Sequence, residues 1–201
     1  MADGIGLDAG MKPWLHSLIC TATGLVGGVA LTVYQVGAGA LGTSTPIGPW
    51  TTGSDYGSAA ASAKTRAIVA RRGLLALPSS EVRYYYADTD DSGQQLDGRC
   101  RYRVSGGPLP TRWWSITLYD AVGFLVKNDP GIYSLESAAL GPDEQARWNL
   151  VVAPDRQTGH WVPSGGIAHF NLTLRAYLPA DGGRGNFVRN QLPAITREAC
   201  A

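Results

Sequence analysis

The sequence predicts a mainly β domain, a sandwich or barrel, preceded by one membrane-length apolar helix and a short amphipathic helix. Three observations carry this: an uncharged apolar run from Trp14 to Leu41, an Ala- and Arg-rich stretch from Ala59 to Leu77, and seven short period-two segments from Glu81 onward. With 201 residues, 44% of them hydrophobic, there is material for one domain core plus an appendage. The 17 basic and 16 acidic residues give a formal charge of +1. That balance leaves no electrostatic footprint for nucleic acid, which is not expected as a partner.

Residues 1–13 read as an N-terminal extension in which Met1 and Met11 are alternative starts. From Pro13 to Ser54 there is no Lys, Arg, Asp or Glu. At 1.5 Å per residue, Trp14 to Tyr34 covers about 30 Å, the thickness of a hydrocarbon core, with the two amphipathic rings at the interfaces. Residues 14–41 are therefore expected to be a transmembrane anchor whose partner is the bilayer. Ala38-Gly39-Ala40 also fits a signal-peptidase site, so cleavage after Ala40 stays open, although the apolar run exceeds the usual 7–15 residues of a signal core. Lys12 precedes the run, and the next basic residues, Lys64 and Arg66, are distant. The charge rule then puts the N-terminus inside, giving a single-pass membrane protein with its C-terminal domain exported. Gly24-x-x-x-Gly28 forms a small-residue face on which another membrane protein could dock, although glycine is common in membrane helices without one.

Residues 42–58, rich in Gly, Ser, Thr and Pro, read as a linker or as a strap laid over the domain with Trp50 as its anchor. Residues 59–201 form the expected exported domain with a leading helix. In that helix Ala67, Ile68, Ala70, Leu74 and Leu75 supply an apolar stripe, with Lys64, Arg66, Arg71 and Arg72 off it. The strands expected are EVRYYYA, CRYRV, WWSITLY, FLVK, IYSL, RWNLVV and HFNLTLRAY. Along them, Trp114, Ile116 and Leu118 alternate with Trp113, Ser115, Thr117 and Tyr119, and Phe170, Leu172 and Leu174 alternate with Asn171, Thr173 and Arg175. One face of each strand is core and the other polar but aromatic.

The candidate binding face comprises Arg101, Arg103, Trp113, Tyr119, Asp120, Arg175 and Tyr177. Aromatic planes with guanidinium and carboxylate groups suit a sugar, a peptide or a protein partner, and they are also an ordinary way to finish a sheet surface. Asp88-x-Asp90-x-Ser92-Gly93 imitates the start of a calcium loop, but its twelfth position is Arg99 where a bidentate Glu is required, so it reads as a polar turn. His160 and His169 lack ligand-spaced partners, and there is no G-x-S-x-G elbow. No metal, cofactor or catalytic residue is expected. Cys20 lies in the apolar run, which leaves Cys100 and Cys200 as an even pair for a disulfide in an oxidising compartment.

Asp97-Gly98, Tyr102, Trp114-Ser115-x-Thr117-x-Tyr119-Asp120, Leu125-Val126-x-Asn128, Tyr133-Ser134, Trp161-x-Pro163, Phe170 and Leu174-Arg175-x-Tyr177 together resemble the bacterial family catalogued as domain of unknown function 1214. The resemblance runs from Glu81 to the C-terminus and implies a jelly-roll-like β-sandwich. It implies no activity. Larger relatives place the domain after a second uncharacterised domain, whereas here it follows the anchor, as in the short membrane-anchored members. His160 departs from the Asn that often precedes the Trp-x-Pro motif.

Two functions fit these features. One is a non-enzymatic envelope module that binds or braces another component. The other is an enzyme acting on an envelope carbohydrate through paired carboxylates such as Asp97 and Asp120, which need a separation of about 5 to 9.5 Å.

Overall fold

The computed structural model describes residues 12–37, 44–53, 57–71 and 77–200. The alternative starts, the Ala38-Gly39-Ala40 triplet, and the stripe and off-stripe placements expected for Ile68, Arg71, Arg72, Leu74 and Leu75 lie outside what it describes. The chain divides into two units, residues 1–41 and 42–201.

The first unit is helix α1, Pro13–Gly37. Its span Pro13–Tyr34 holds 22 residues of mean hydropathy 1.6, none of them buried. Every face is apolar or small, so the helix has no polar side suited to water. The Thr32 hydroxyl donates to the Gly28 carbonyl at 2.8 Å, which satisfies that group within the helix itself. Length and composition suffice for a signal sequence or an anchor.

Among the described residues of the second unit, ten strands form two sheets around one core. They are β1 Ser44–Ile47, β2 Trp50–Gly53, β3 Val82–Ala87, β4 Cys100–Gly106 and β5 Thr111–Asp120, then β6 Ser134–Glu136, β7 Trp148–Ala153, β8 Trp161–Pro163, β9 Phe170–Pro179 and β10 Ala194–Cys200. The larger sheet has the order β1-β2-β3-β9-β5-β6 and the smaller β10-β4-β7-β8. All pairings are antiparallel except β7 with β8. Trp114, Ile116, Leu118, Leu172 and Leu174 from the large sheet meet Tyr102, Val104, Trp148, Leu150 and Ile195 from the small one. Trp114 and Trp148 bridge the layers with ring centroids 4.6 Å apart. The alternation expected for β5 and β9 holds on this inner side.

Elsewhere the sequence reading needs correction. The helix expected from Ala59 starts later: among the described residues, α2 spans Ala63–Arg71. Ser62 receives the Thr65 N–H on its hydroxyl at 3.1 Å, an N-cap that fixes where the helix begins. Phe124–Lys127 is no strand. Only the bridge Tyr119↔Leu125 forms, because Asn128 holds the following loop by hydrogen bonds to Val126 and Ile132. The segment read as a linker or strap is a hairpin, β1–β2, that extends the large sheet at β3. Its anchor is Trp50, fully buried, with Nε1 donating to the Pro193 carbonyl at 2.7 Å. Replacing Trp50 with Phe leaves that buried acceptor with only the long bond from Arg189 Nη1 at 3.5 Å. A loss of about 2 kcal/mol in chemical unfolding is expected, and an unchanged midpoint would show that the strap is not held there.

The C-terminal segment is β10, an edge strand tied at two places. Cys200 is disulfide-bonded to its register partner Cys100, S–S 2.03 Å. At the other end the loop after β3 holds it: the Asp91 N–H donates to the Ile195 carbonyl, and the Ile195 N–H returns to Asp91 Oδ2 at 2.7 Å. The Asp88-to-Gly93 motif is this clamp. Asp90 Oδ1 accepts from the Ser92 and Gln94 N–H groups and Oδ2 from Arg197, which uses the carboxylate for turn geometry. An apolar helix together with a disulfide points to an extracytoplasmic domain.

Candidate functional site

The seven residues proposed as one face fall on two. In β5 and β9, register places Trp113 opposite Tyr177 and Ser115 opposite Arg175 on the outer side of the large sheet. There the Trp113 and Tyr177 rings meet edge to face at 5.0 Å. Arg175 lies over the Tyr119 ring at 5.4 Å, and its Nη2 donates to the Tyr119 hydroxyl at 3.0 Å. Arg101 and Arg103 belong to β4 in the other sheet, where both pair with Glu198 at 2.8 and 2.5 Å. A register shift between Arg197 and Ala199 leaves Glu198 as an extra residue, which turns its carboxylate onto that side. Strand periodicity separates two faces of one strand, but it does not say which sheet a strand joins.

Asp120 is also not free on the face. Its Oδ1 accepts the N–H groups of Val122, Gly123 and Phe124 at 2.9, 2.8 and 2.8 Å, an Asx-type turn that fixes the loop after β5. Asp97 is similarly engaged. Hydrogen bonds from the Arg99 side chain and N–H hold its carboxyl well below the usual carboxylate range, so it stays ionised at ordinary pH. Glu144 is lowered by the Gly141 N–H and then by His160, whose Nε2 lies 3.1 Å from both carboxylate oxygens. His169 is exposed. No group of three metal-capable side chains occurs among the described residues.

The outer side is closed at β3, where Val69 of α2 and Leu77 cover Val82, Tyr84 and Tyr86. Burial there pushes the Tyr84 hydroxyl above its ordinary value, against the Leu77 N–H it accepts. The remaining strip, Tyr119 through Arg175 and Tyr177 to Trp113, ends at a groove of about 380 Å³ between the two sheets. Its lining includes Arg112, Trp113, Trp114, Ser137, Gln145 and Trp148. Trp148 reaches it by close approach: a Cβ at Gly106 would lie 2.4 Å from the Trp148 ring, and the indole donates to the Gly107 carbonyl at 3.0 Å. Sequence reasoning missed Ser137, Gln145 and Trp148. The one available signal was the Gly106-Gly107 pair, which permits close backbone approach.

The second unit is thus a two-sheet β domain with one polar-aromatic strip and a groove at its end. The chain belongs to the family described as "Protein of unknown function (DUF1214)", which matches it over residues 81–181. The VPA0106 protein from Vibrio parahaemolyticus, known from a crystal structure, is similar at 22% identity and a TM-score of 0.54, covering 68% of this chain and 35% of that one. An uncharacterized protein from Burkholderia cenocepacia matches at 21% identity and a TM-score of 0.38, covering 59% of this chain and 29% of that one. The chain therefore spans about a third of the length of these solved proteins. No curated protein matches it.

Proposed function

We propose that the chain is a non-enzymatic, single-pass protein of the bacterial inner membrane whose periplasmic, jelly-roll-like sandwich binds or braces another envelope component. The observation that carries this reading is the turn after β5. Val122 and Phe124 are 74% and 70% exposed, yet the three hydrogen bonds to Asp120 hold the backbone that presents them. Large apolar side chains on a rigid turn, with Leu125 half-exposed beside them, have the character of a protein-contact knob. Their exposure has no folding benefit.

The uncleaved anchor is supported by the uninterrupted apolar span of α1, and the periplasmic side by the disulfide. Jelly-roll connectivity is supported by the way the chain crosses repeatedly between the sheets, at β3 to β4, β4 to β5, β6 to β7, β8 to β9 and β9 to β10. Gly24 and Gly28 leave open space along α1 where a partner helix can approach. The carboxylate-enzyme alternative is the weaker reading, because Asp97 is held ionised by Arg99 and Asp120 is spent on its turn.

The test is a photo-crosslinking residue at position 124 in the intact cell envelope. A discrete protein adduct is expected, and adding Val122→Ser to the same photo-crosslinking chain should reduce its yield several-fold while stability stays within about 0.5 kcal/mol. Finding only uncrosslinked chain at position 124 would remove the basis for this reading.

A further inference from the structure

We infer that the groove beside Trp113 is a binding site for an acidic saccharide, one whose sugar ring carries a carboxylate. The inference rests on the exported binding-module reading and adds a small-molecule site to it.

The groove brings together three features suited to a ligand. Its accessible aromatic plane is Trp113, half-buried and braced edge to face by Tyr177, and it is backed by the buried Trp114–Trp148 pair, whose planes are inclined at 31°. Rigid aromatic planes accept the flat C–H side of a pyranose at little entropic cost. Arg112 lines the groove, is exposed and pairs with no carboxylate among the described residues. Arg99, Arg101, Arg103, Arg175 and Arg197 each have a partner in the fold. An unmatched guanidinium next to an aromatic wall is complementary to a carboxylate, which it can bind bidentately. The Gln145 amide and the Ser137 hydroxyl add groups that hydrogen-bond sugar hydroxyls.

Size and edge geometry favour a saccharide over an acidic peptide. A volume of about 380 Å³ lies at the small end of ligand-site volumes and suits one or two rings. An extended peptide added beside β5 would need the Trp114 N–H, and that donor is already given to the Ser137 hydroxyl at 3.2 Å.

The test uses the full chain in detergent, titrated with digalacturonate, maltose and an acidic hexapeptide, and read by tryptophan fluorescence and by saturation transfer to sugar ring protons. Saturable digalacturonate binding is expected, with maltose and the peptide at least tenfold weaker. Arg112→Gln and Trp113→Ala should each weaken it about tenfold, with unchanged unfolding midpoints as the folding control. The inference is overturned if digalacturonate shows no saturable binding up to about 10 mM, or if maltose or the peptide binds as well. Binding indifferent to Arg112→Gln overturns it too. These outcomes are independent of crosslinking at Phe124, so failure of the saccharide site and failure of the module reading are told apart.

Discussion

Replacing Cys100 and Cys200 with serine lowers the stability of the sandwich by about 3 to 4 kcal/mol. The bond closes a loop of 100 residues, for which chain-entropy arguments give up to about 4.7 kcal/mol. The expected loss falls short of that ceiling because β10 is also held at Ile195, which is fully buried, and at Arg197. Near the bond little else restrains the strand. The ion pairs of Glu198 with Arg101 and Arg103 join half-exposed guanidinium groups, and such pairs contribute at most about 1 kcal/mol. Urea unfolding followed by tryptophan fluorescence measures the loss, and wild-type protein unfolded in reductant should match the double-serine variant. Hydrogen exchange adds a spatial reading: Ala199 loses protection while Ile195 keeps it. A loss below about 1 kcal/mol, or protection lost evenly along β10, would mean that the clamp at Asp90 and Asp91 holds the strand alone.

How far the sequence foretold this arrangement depends on where the information resides. In β5 and β9 it is local: Trp114, Ile116 and Leu118 repeat every second residue over a long segment, so both the strand and its buried side are legible. In β1, β2 and β10 it is not. Their Gly, Pro, Ala and charged residues have weak strand propensity, and they form strands because β3 and β4 offer unpaired edges. The candidate site shows the same division. Trp113, Tyr119, Arg175 and Tyr177 are joined by a register of two adjacent strands, whereas Arg101 and Arg103 went elsewhere because β4 joins the other sheet. The Asp120-Ala-Val-Gly segment reads as a turn, and the structure spends the Asp120 carboxylate on that turn instead of leaving it on the face. Counting Phe124 as a strand residue concealed the exposed knob. The groove was the least legible part, since Ser137, Gln145 and Trp148 reach Trp113 only through the meeting of two sheets.

Asp90→Ala should cost about 3 kcal/mol and, unlike loss of the disulfide, its cost should shrink in acid. Asp90 is 2% exposed. Its Oδ1 accepts from the Ser92 hydroxyl at 2.6 Å and from the Ser92 and Gln94 N–H groups at 3.0 Å, and its Oδ2 from Arg197 Nε at 3.0 Å. Alanine leaves these donors unpaired and frees the loop that grips β10, and breaking one side of a buried ion pair typically costs about 3 to 5 kcal/mol. The lower figure applies because Arg197 retains some contact with water and its bond to the Gln95 carbonyl. Asp90→Asn keeps an acceptor for the turn but loses the charge facing Arg197, so an intermediate loss is expected. Burial alone would raise the Asp90 pKa, but the Ser92 hydroxyl, the two N–H groups and Arg197 outweigh it and hold the carboxyl below its ordinary value. A carboxyl lowered in the folded state binds fewer protons there than in the unfolded chain. Its contribution is therefore complete above the unfolded value of about 3.9 and lost as pH falls through the folded one. Urea midpoints of wild type and Asp90→Ala should consequently be farthest apart at neutral pH and draw closer below about pH 4. The double-serine variant should keep a constant offset over the same range, since a disulfide does not titrate. If the Asp90→Ala difference persists undiminished in acid, the clamp depends on the shape of the loop and not on its charge.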